Sequence, residues 1–328
     1  MVTRRILLAA GALAMGAMML AATPLRAADK LTELRLDYAY YNPVSLVLKE
    51  RGLIEEEFEK DGIAVTWVQS AGSNKALEFL NASSLDFGST AGAAALIGRI
   101  NGNPIKSIYV YSKPEWTALV TRKDTGIKTI ADLKGKRVAV TRGTDPHIFL
   151  VRALQSVGLT QDDIQVVLLQ HADGRTALDK GDVDAWAGLD PMMAQAETEN
   201  GDVLFYRNAD LNSYGVLNVR EEFAAQHPDI VARVLAVYEK GRKWSLEHPK
   251  SLEAILAKAA HLTDAVAAVQ IEQRTDLSDP TLNDKVLSTI REAGLALQKA
   301  GVIKADVDVP AQTNDLLDSK FVAQLSAR

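Results

Sequence analysis

Short β-favouring runs alternate with helix-patterned segments over most of the chain, and this alternation constrains the fold more than any single residue does. LRLDYAYY puts Leu34, Leu36, Tyr38 and Tyr40 at every second position, as in a half-buried strand. Strands follow by the same reading over 63–69, 85–88 and 106–111, then over 138–140, 165–169, 183–187 and 203–206. Helices over 44–51, 54–60, 73–80, 91–100, 146–157, 174–180 and 191–199 separate them, with Gly, Asn, Asp or Pro at most boundaries. The pattern predicts α/β architecture: two doubly wound lobes of parallel sheet with helices on both faces. Asp86 and Asp184 enter corresponding strands of the two series, which supports two similar halves and gives both carboxylates a structural reading.

Beyond about Tyr214 the strands stop. Segments 228–246, 249–261, 264–274 and 280–300 are helical by pattern, most with proline at or near the start. Helices without strands predict a return to the first lobe, so residues 28–116 and 215–328 form lobe 1 and 117–214 lobe 2. Thr117–Arg122 and Tyr214–Arg220 would then be the crossings of a two-segment hinge, with a cleft between the lobes.

The first 27 residues are read apart from this scheme. Arg4 and Arg5 precede an apolar run from Ile6 to Ala22, and Leu25-Arg26-Ala27 is a cleavage-like site before Ala28. An exported chain is expected, by the general or the twin-arginine route. Without Arg4, Arg5 and Arg26 there remain 34 basic residues against 42 acidic, a net charge of −8. That balance argues against a nucleic-acid partner. The chain has no cysteine, so burial must hold the fold, and a lipoprotein anchor is excluded. A periplasmic location follows as the expectation.

Binding, and not catalysis, is the expected activity. The nucleophile position of Gly88-Ser89-Thr90-Ala91-Gly92 holds threonine, the five histidines have no metal-ligand spacing, and phosphate-loop and GxGxxG motifs are absent. No cofactor or metal is expected. In open α/β sheets ligands bind beyond the carboxyl ends of strands. That rule selects Tyr40, Tyr41 and Asn42 after the first strand, Ser89, Thr90 and Ala91 after the third, Trp116 at the first crossing, and Asp190. It also selects KRVAVTRGTDPHIFLVRAL, residues 136–154, where a strand turns through Gly143, Thr144 and Asp145 into a helix containing His147. Backbone N–H groups at such a helix start favour an anion. The Thr144 hydroxyl would add a donor, while Asp145 sets a carboxylate beside the same turn.

The stretch 130–140 (IADLKGKRVAV), the turn Gly143–His147, and GDVDAW at 181–186 leading to Asp190-Pro191 resemble the periplasmic substrate-binding proteins of ABC importers in the aliphatic sulfonate, taurine and nitrate group. The resemblance covers nearly the whole mature chain. It implies the type II periplasmic binding fold, and ligand contacts at Tyr40, Thr144, His147 and Asp190. It further implies a monomer serving a membrane permease and its ATPase. Capture of a small organic anion, an aliphatic sulfonate first, is the resulting expectation. Taurine, nitrate or a pyrimidine-type nitrogen compound is the alternative, and an enzyme on this fold is the reading of a different class.

Overall fold

The computed structural model describes residues 31–325, so the export segment lies outside the described residues. Its strands are β1 (Glu33–Tyr38), β2 (Ala64–Gln69), β3 (Phe87–Ala91), β4 (Ile105–Pro114), β5 (Leu119–Thr121), β6 (Arg137–Val140), β7 (Gln165–Leu168), β8 (Ala185–Ala187), β9 (Val203–Tyr206), β10 (Gly215–Arg220) and β11 (Thr275–Asp276). They form two sheets, ordered β11-β4-β10-β3-β1-β2 and β7-β6-β8-β5-β9. This is the α/β, two-lobed architecture that the alternation predicts.

The sheets are mixed, where parallel ones were expected. β1 pairs in parallel with β2 and β3, and β6 with β7 and β8, but β10 is antiparallel to β3 and β4, and β5 to β8 and β9. β5 and β10 are the strands that begin just after the chain changes lobe. Arriving from outside, they need no helical crossover and can insert against the local strand direction. The segments expected to be hinge crossings therefore lie largely inside the sheets, and the chain passes between the sheets at 115–118 and 207–214.

The two halves are built alike at one instructive point. Asp86 Oδ2 accepts the Arg35 backbone N–H at 2.9 Å and also receives the Arg35 guanidinium; Asp184 Oδ2 does the same for Arg137, also at 2.9 Å. Each carboxylate clips its strand to the parallel neighbour, which is the structural role the sequence suggests.

The late helices pack on lobe 1. In the Pro228–Glu247 helix, Val231, Val234, Leu235 and Tyr238 join Leu34, Leu36, Val44 and Leu48 in one buried cluster. Val286, Ile290, Ala293 and Leu297 of the Asp284–Lys299 helix join Leu96 and Val110 in another. Burying each large aliphatic side chain contributes about 1.5–3 kcal/mol. Short helices at Glu221–Gln226, Val309–Leu316 and Lys320–Ala323 are additional to the predicted set. The Asp145–Ser156 helix spans the joint: Ile148 and Val151 belong to the lobe 1 cluster, whereas Phe149, Leu150 and Leu154 belong to that of lobe 2. A helix apolar on several faces is one buried from both sides. Among the described residues no helix is long and apolar enough to cross a membrane.

Candidate functional site

The turn after β1 supplies both walls and foundations. Tyr41 is buried, donates its hydroxyl to the Ser89 carbonyl at 2.9 Å, and meets Trp116 edge-on at 5.9 Å. Asn42 caps the Pro43–Glu50 helix by accepting from Ser45 N–H and donates to Ser89 Oγ at 2.7 Å. β3 runs through Ser89, Thr90 and Ala91, all fully buried, where a turn had been expected. Ser89 gives its N–H and hydroxyl to Asp37, Thr90 Oγ1 accepts from Asn218, and the Ala91 N–H bonds to Ser73 Oγ. Burial lifts Asp37 to about 6 against the pull of those Ser89 donors. Asn42, Ser89, Thr90 and Ala91 thus form a buried foundation tied to Asp37, Asn218 and Ser73 by hydrogen bonds.

The turn between β6 and the Asp145–Ser156 helix also differs from its expected role. Gly143 has φ +77°, the left-handed conformation that favours glycine. Thr144 donates its hydroxyl to the Thr141 carbonyl at 2.7 Å, so its one proton is not available to an anion. Asp145 is buried and accepts from Trp116 Nε1 at 2.7 Å, Ser213 N–H at 2.9 Å and Ser213 Oγ at 2.7 Å. It therefore ties the first crossing to the second. Burial raises its pKa while these donors oppose the rise. Tyr41, Trp116, Thr144 and Asp145 line a space of only about 10 Å³, about enough for one water. His147 pairs through Nε2 with Gln161 at 2.9 Å and lines neither this space nor the larger cavity. Gly143 likewise lines neither.

The larger cavity, about 200 Å³, lies between the lobes. Tyr40, Tyr41, Leu189, Pro191, Met192 and Leu262 provide aromatic and aliphatic walls, and Gln69, Ser70, Gln170, His171, Asp190 and Gln195 its polar groups. Two helices of opposite lobes start at it. Ala71 precedes Gly72, the N-cap of the Ser73–Asn81 helix, and Gln170 is the N-cap of the His171–Lys180 helix. The lobes approach closely at Gly72: a Cβ there would lie 3.0 Å from His171 Nε2 of the other lobe and 2.8 Å from Asn74 Oδ1 of its own, so both side chains would have to give way. His171 is 1% exposed, and neither ring nitrogen has a hydrogen-bond partner. Burial pushes its pKa down to about 3, so the ring is neutral.

Asp190 connects the lobes. Its Oδ1 accepts from Ala194 N–H at 2.9 Å and from Arg274 Nη1 at 3.0 Å, while Arg274 Nη2 also pairs with Glu197. Burial raises Asp190 to about 6, and Arg274 opposes the rise. Arg274 is placed by an unexpected winding. The helix predicted over 264–274 is α-helical at Asp264–Ala268 and then forms a π turn over Val269–Gln273. Gln270 in that turn donates to the Tyr40 carbonyl at 2.8 Å. Ser70, Gln170, His171 and Arg274 were absent from the candidates. The first three follow β2 and β7 and so satisfy the same end-of-strand rule; Arg274 carries no such signal. Among the described residues no group of three metal-ligating side chains occurs.

The NMT1/THI5 like family model matches residues 55–252. A Bacillus subtilis relative named "Putative aliphatic sulfonates-binding protein" is 28% identical over 296 residues, covering 89% of this chain and 88% of that one. The solved structure of the periplasmic aliphatic sulphonate binding protein from Escherichia coli superposes with a TM-score of 0.72 at 27% identity, covering 86% of this chain and 91% of the other. The 4-amino-5-hydroxymethyl-2-methylpyrimidine phosphate synthase of Schizosaccharomyces pombe is 25% identical over 226 residues, 64% of this chain and 63% of the enzyme. The fold is that of the periplasmic binding proteins, the relatives support a solute-binding role, and the chain belongs to the NMT1/THI5 like family.

Proposed function

We propose that the protein is the solute-binding component of an ABC import system, working as a periplasmic monomer that captures a small organic anion, an aliphatic sulfonate first, and presents it to a membrane permease coupled to an ATPase. The observation that carries this reading is the 200 Å³ cavity onto which helix N-termini of both lobes open. Free N–H groups and the dipoles of the two helices favour negative charge there without any proton transfer. The volume lies below the ~300–1,000 Å³ of pockets for drug-sized ligands, which suits a compound of a few carbons. The names of the sulfonate-binding relatives support the same class of ligand.

Thermal melting with a panel of sulfonates tests the proposal. A compound bound only by the native state stabilises it by RT ln(1 + [L]/Kd), about 2.7 kcal/mol at a hundredfold excess over Kd. Alkanesulfonates at millimolar concentration are expected to raise the melting temperature. A shift with a heterocyclic nitrogen compound and none with any sulfonate would replace the proposed ligand, and turnover of a bound compound would replace the binding role with an enzymatic one.

A further inference from the structure

Asp37 lies at the end of β1, fully buried, and its carboxylate accepts from the Ser89 N–H at 2.9 Å and the Ser89 hydroxyl at 2.8 Å. Among the described residues no lysine, arginine or histidine pairs with it. The titratable groups that face it are phenols: Tyr41 from the turn after β1, Tyr111 from β4 and Tyr238 from the Pro228–Glu247 helix. Asp190, the carboxylate on the cavity wall, differs in having the Arg274 guanidinium beside it. Two neighbours connect Asp37 to the cavity. Tyr41 and Ser70 both line it, and Ser70 also stands beside the carboxylate. The Ser70 and Tyr238 hydroxyls are buried with no hydrogen-bond partner. A hydroxyl can turn to donate to a carboxylate or to accept from a carboxylic acid, so these surroundings accommodate Asp37 in either protonation state without moving the backbone.

An anion entering the cavity sets a second negative charge near this uncompensated one, through protein that screens charge far less than water does. We infer that Asp37 is a proton-binding site coupled to the solute site, taking up a proton as the cleft takes up an anion, so that capture is tighter in acid than in alkali. The inference rests on the proposed anion-binding role and deepens it by making pH its regulator. Burial already holds the group at about 6 in the unliganded protein, and a nearby negative charge raises a carboxyl further. By linkage, the factor by which the anion strengthens proton binding equals the factor by which the proton strengthens anion binding. Affinity is therefore flat in alkali, rises as pH falls through the liganded value of Asp37, and levels off below the unliganded one.

Calorimetric titration with ethanesulfonate, propane-1-sulfonate and butane-1-sulfonate between pH 5 and pH 8 tests this, and repeating it at pH 6.5 in two buffers of unlike ionisation enthalpy counts the protons. The wild-type protein is expected to take up about half a proton at pH 6.5 and to bind about tenfold tighter at pH 5 than at pH 8, as when ligand changes the proton affinity of one group tenfold. Asp37→Asn, whose fold is checked by its melting curve, keeps an acceptor for Ser89 and is expected to bind with neither effect. The carboxyl 13C resonance of Asp37 gives the answer without a variant, and decides where the variant does not fold: its titration midpoint is expected to rise on saturation with the anion. An unmoved midpoint overturns the inference, as does proton uptake that survives in Asp37→Asn. Binding with no proton taken up sinks the coupling and leaves the solute-binding role standing. Silence from all three sulfonates across the pH range overturns both the coupling and the sulfonate reading.

Discussion

At the scale of single residues, Thr144 lines the narrow space with its hydroxyl already bonded, while His171, absent from the candidates, lines the larger cavity. Thr144→Ala removes a hydroxyl already donated to the Thr141 carbonyl, so ligand affinity measured by titration should change less than about twofold; a loss of ten- to a hundredfold, the range for a hydrogen bond to a charged group, would return Thr144 to the ligand. His171 has a pH signature. Its folded pKa is about 3, against 6.5 for an unperturbed ring, so below pH 6.5 the unfolded chain binds a proton that the folded one does not. Its contribution is fully present above pH 6.5 and is lost progressively toward pH 3, amounting to about 2 kcal/mol by pH 5. Asp37 and Asp190, raised to about 6 from 3.8, act oppositely, because the folded state takes up their protons first as pH falls from 6 to 4. His171→Gln should therefore lose less stability than wild type between pH 7 and pH 5 in urea unfolding, and an identical pH dependence would show that the ring is hydrated. Tyr40, Tyr41 and Asp190 line the cavity and each follows a strand, the position that the end-of-strand rule reads from sequence. The partners of Asp145 and His147 were not legible there, since Ser213, Trp116 and Gln161 are brought in by tertiary approach that no local pattern encodes, whereas the Thr144 bond to the Thr141 carbonyl is a local turn contact.

At the scale of elements, the segments that escape sequence periodicity are those that join the lobes. Val266, Ala267, Gln270 and Ile271 have the spacing of a buried helical face, and they are buried, yet the turn from Val269 winds as π. Apolar spacing reports which side faces inward and does not resolve one extra residue in a turn. That residue matters because Gln270 bonds the Tyr40 carbonyl within lobe 1 while Arg274, just after the turn, reaches across the cleft to Asp190 and Glu197. β5 and β10 pose the same difficulty: a short apolar run reads as a strand, but not as one inserted antiparallel into a sheet. Asp145 makes the element-level prediction. Asp145→Asn exchanges one of two acceptor oxygens for a donor, against three donors from Trp116 and Ser213. The Ser213 hydroxyl can turn to accept from the new amide, but every bond loses its charged acceptor, at a cost of about 1–3 kcal/mol in denaturant unfolding. An unchanged midpoint would mean that this carboxylate does not hold the crossings together.

At the scale of the whole molecule, ligand and lobe contact are linked. The closed arrangement places His171 against Gly72 and Asp190 against Arg274, and a ligand touching both lobes gains contacts that exist only there. Such differential affinity shifts an open–closed equilibrium toward closure. Small-angle scattering should therefore give a smaller radius of gyration with saturating ligand than without, while an unchanged radius would show a preformed, rigid site. Breaking the latch with Arg274→Ala should leave the two sheets folded but weaken ligand binding, through faster release more than slower capture, as rapid-mixing kinetics can resolve.

The bond between Trp116 and Asp145 has an optical consequence. The chain contains four tryptophans, and Trp116 stands at the crossing itself, 3% exposed, its indole N–H held at 2.7 Å by a carboxylate and its ring edge-on to Tyr41 of the cavity wall. Indole emission responds to nearby charge and to solvent contact, so any rotation that draws Asp145 from this ring should alter its colour and intensity. The protein carries an unlabelled gauge of its own joint, and a Trp116→Phe variant that binds ligand without the wild-type change in fluorescence would identify the needle.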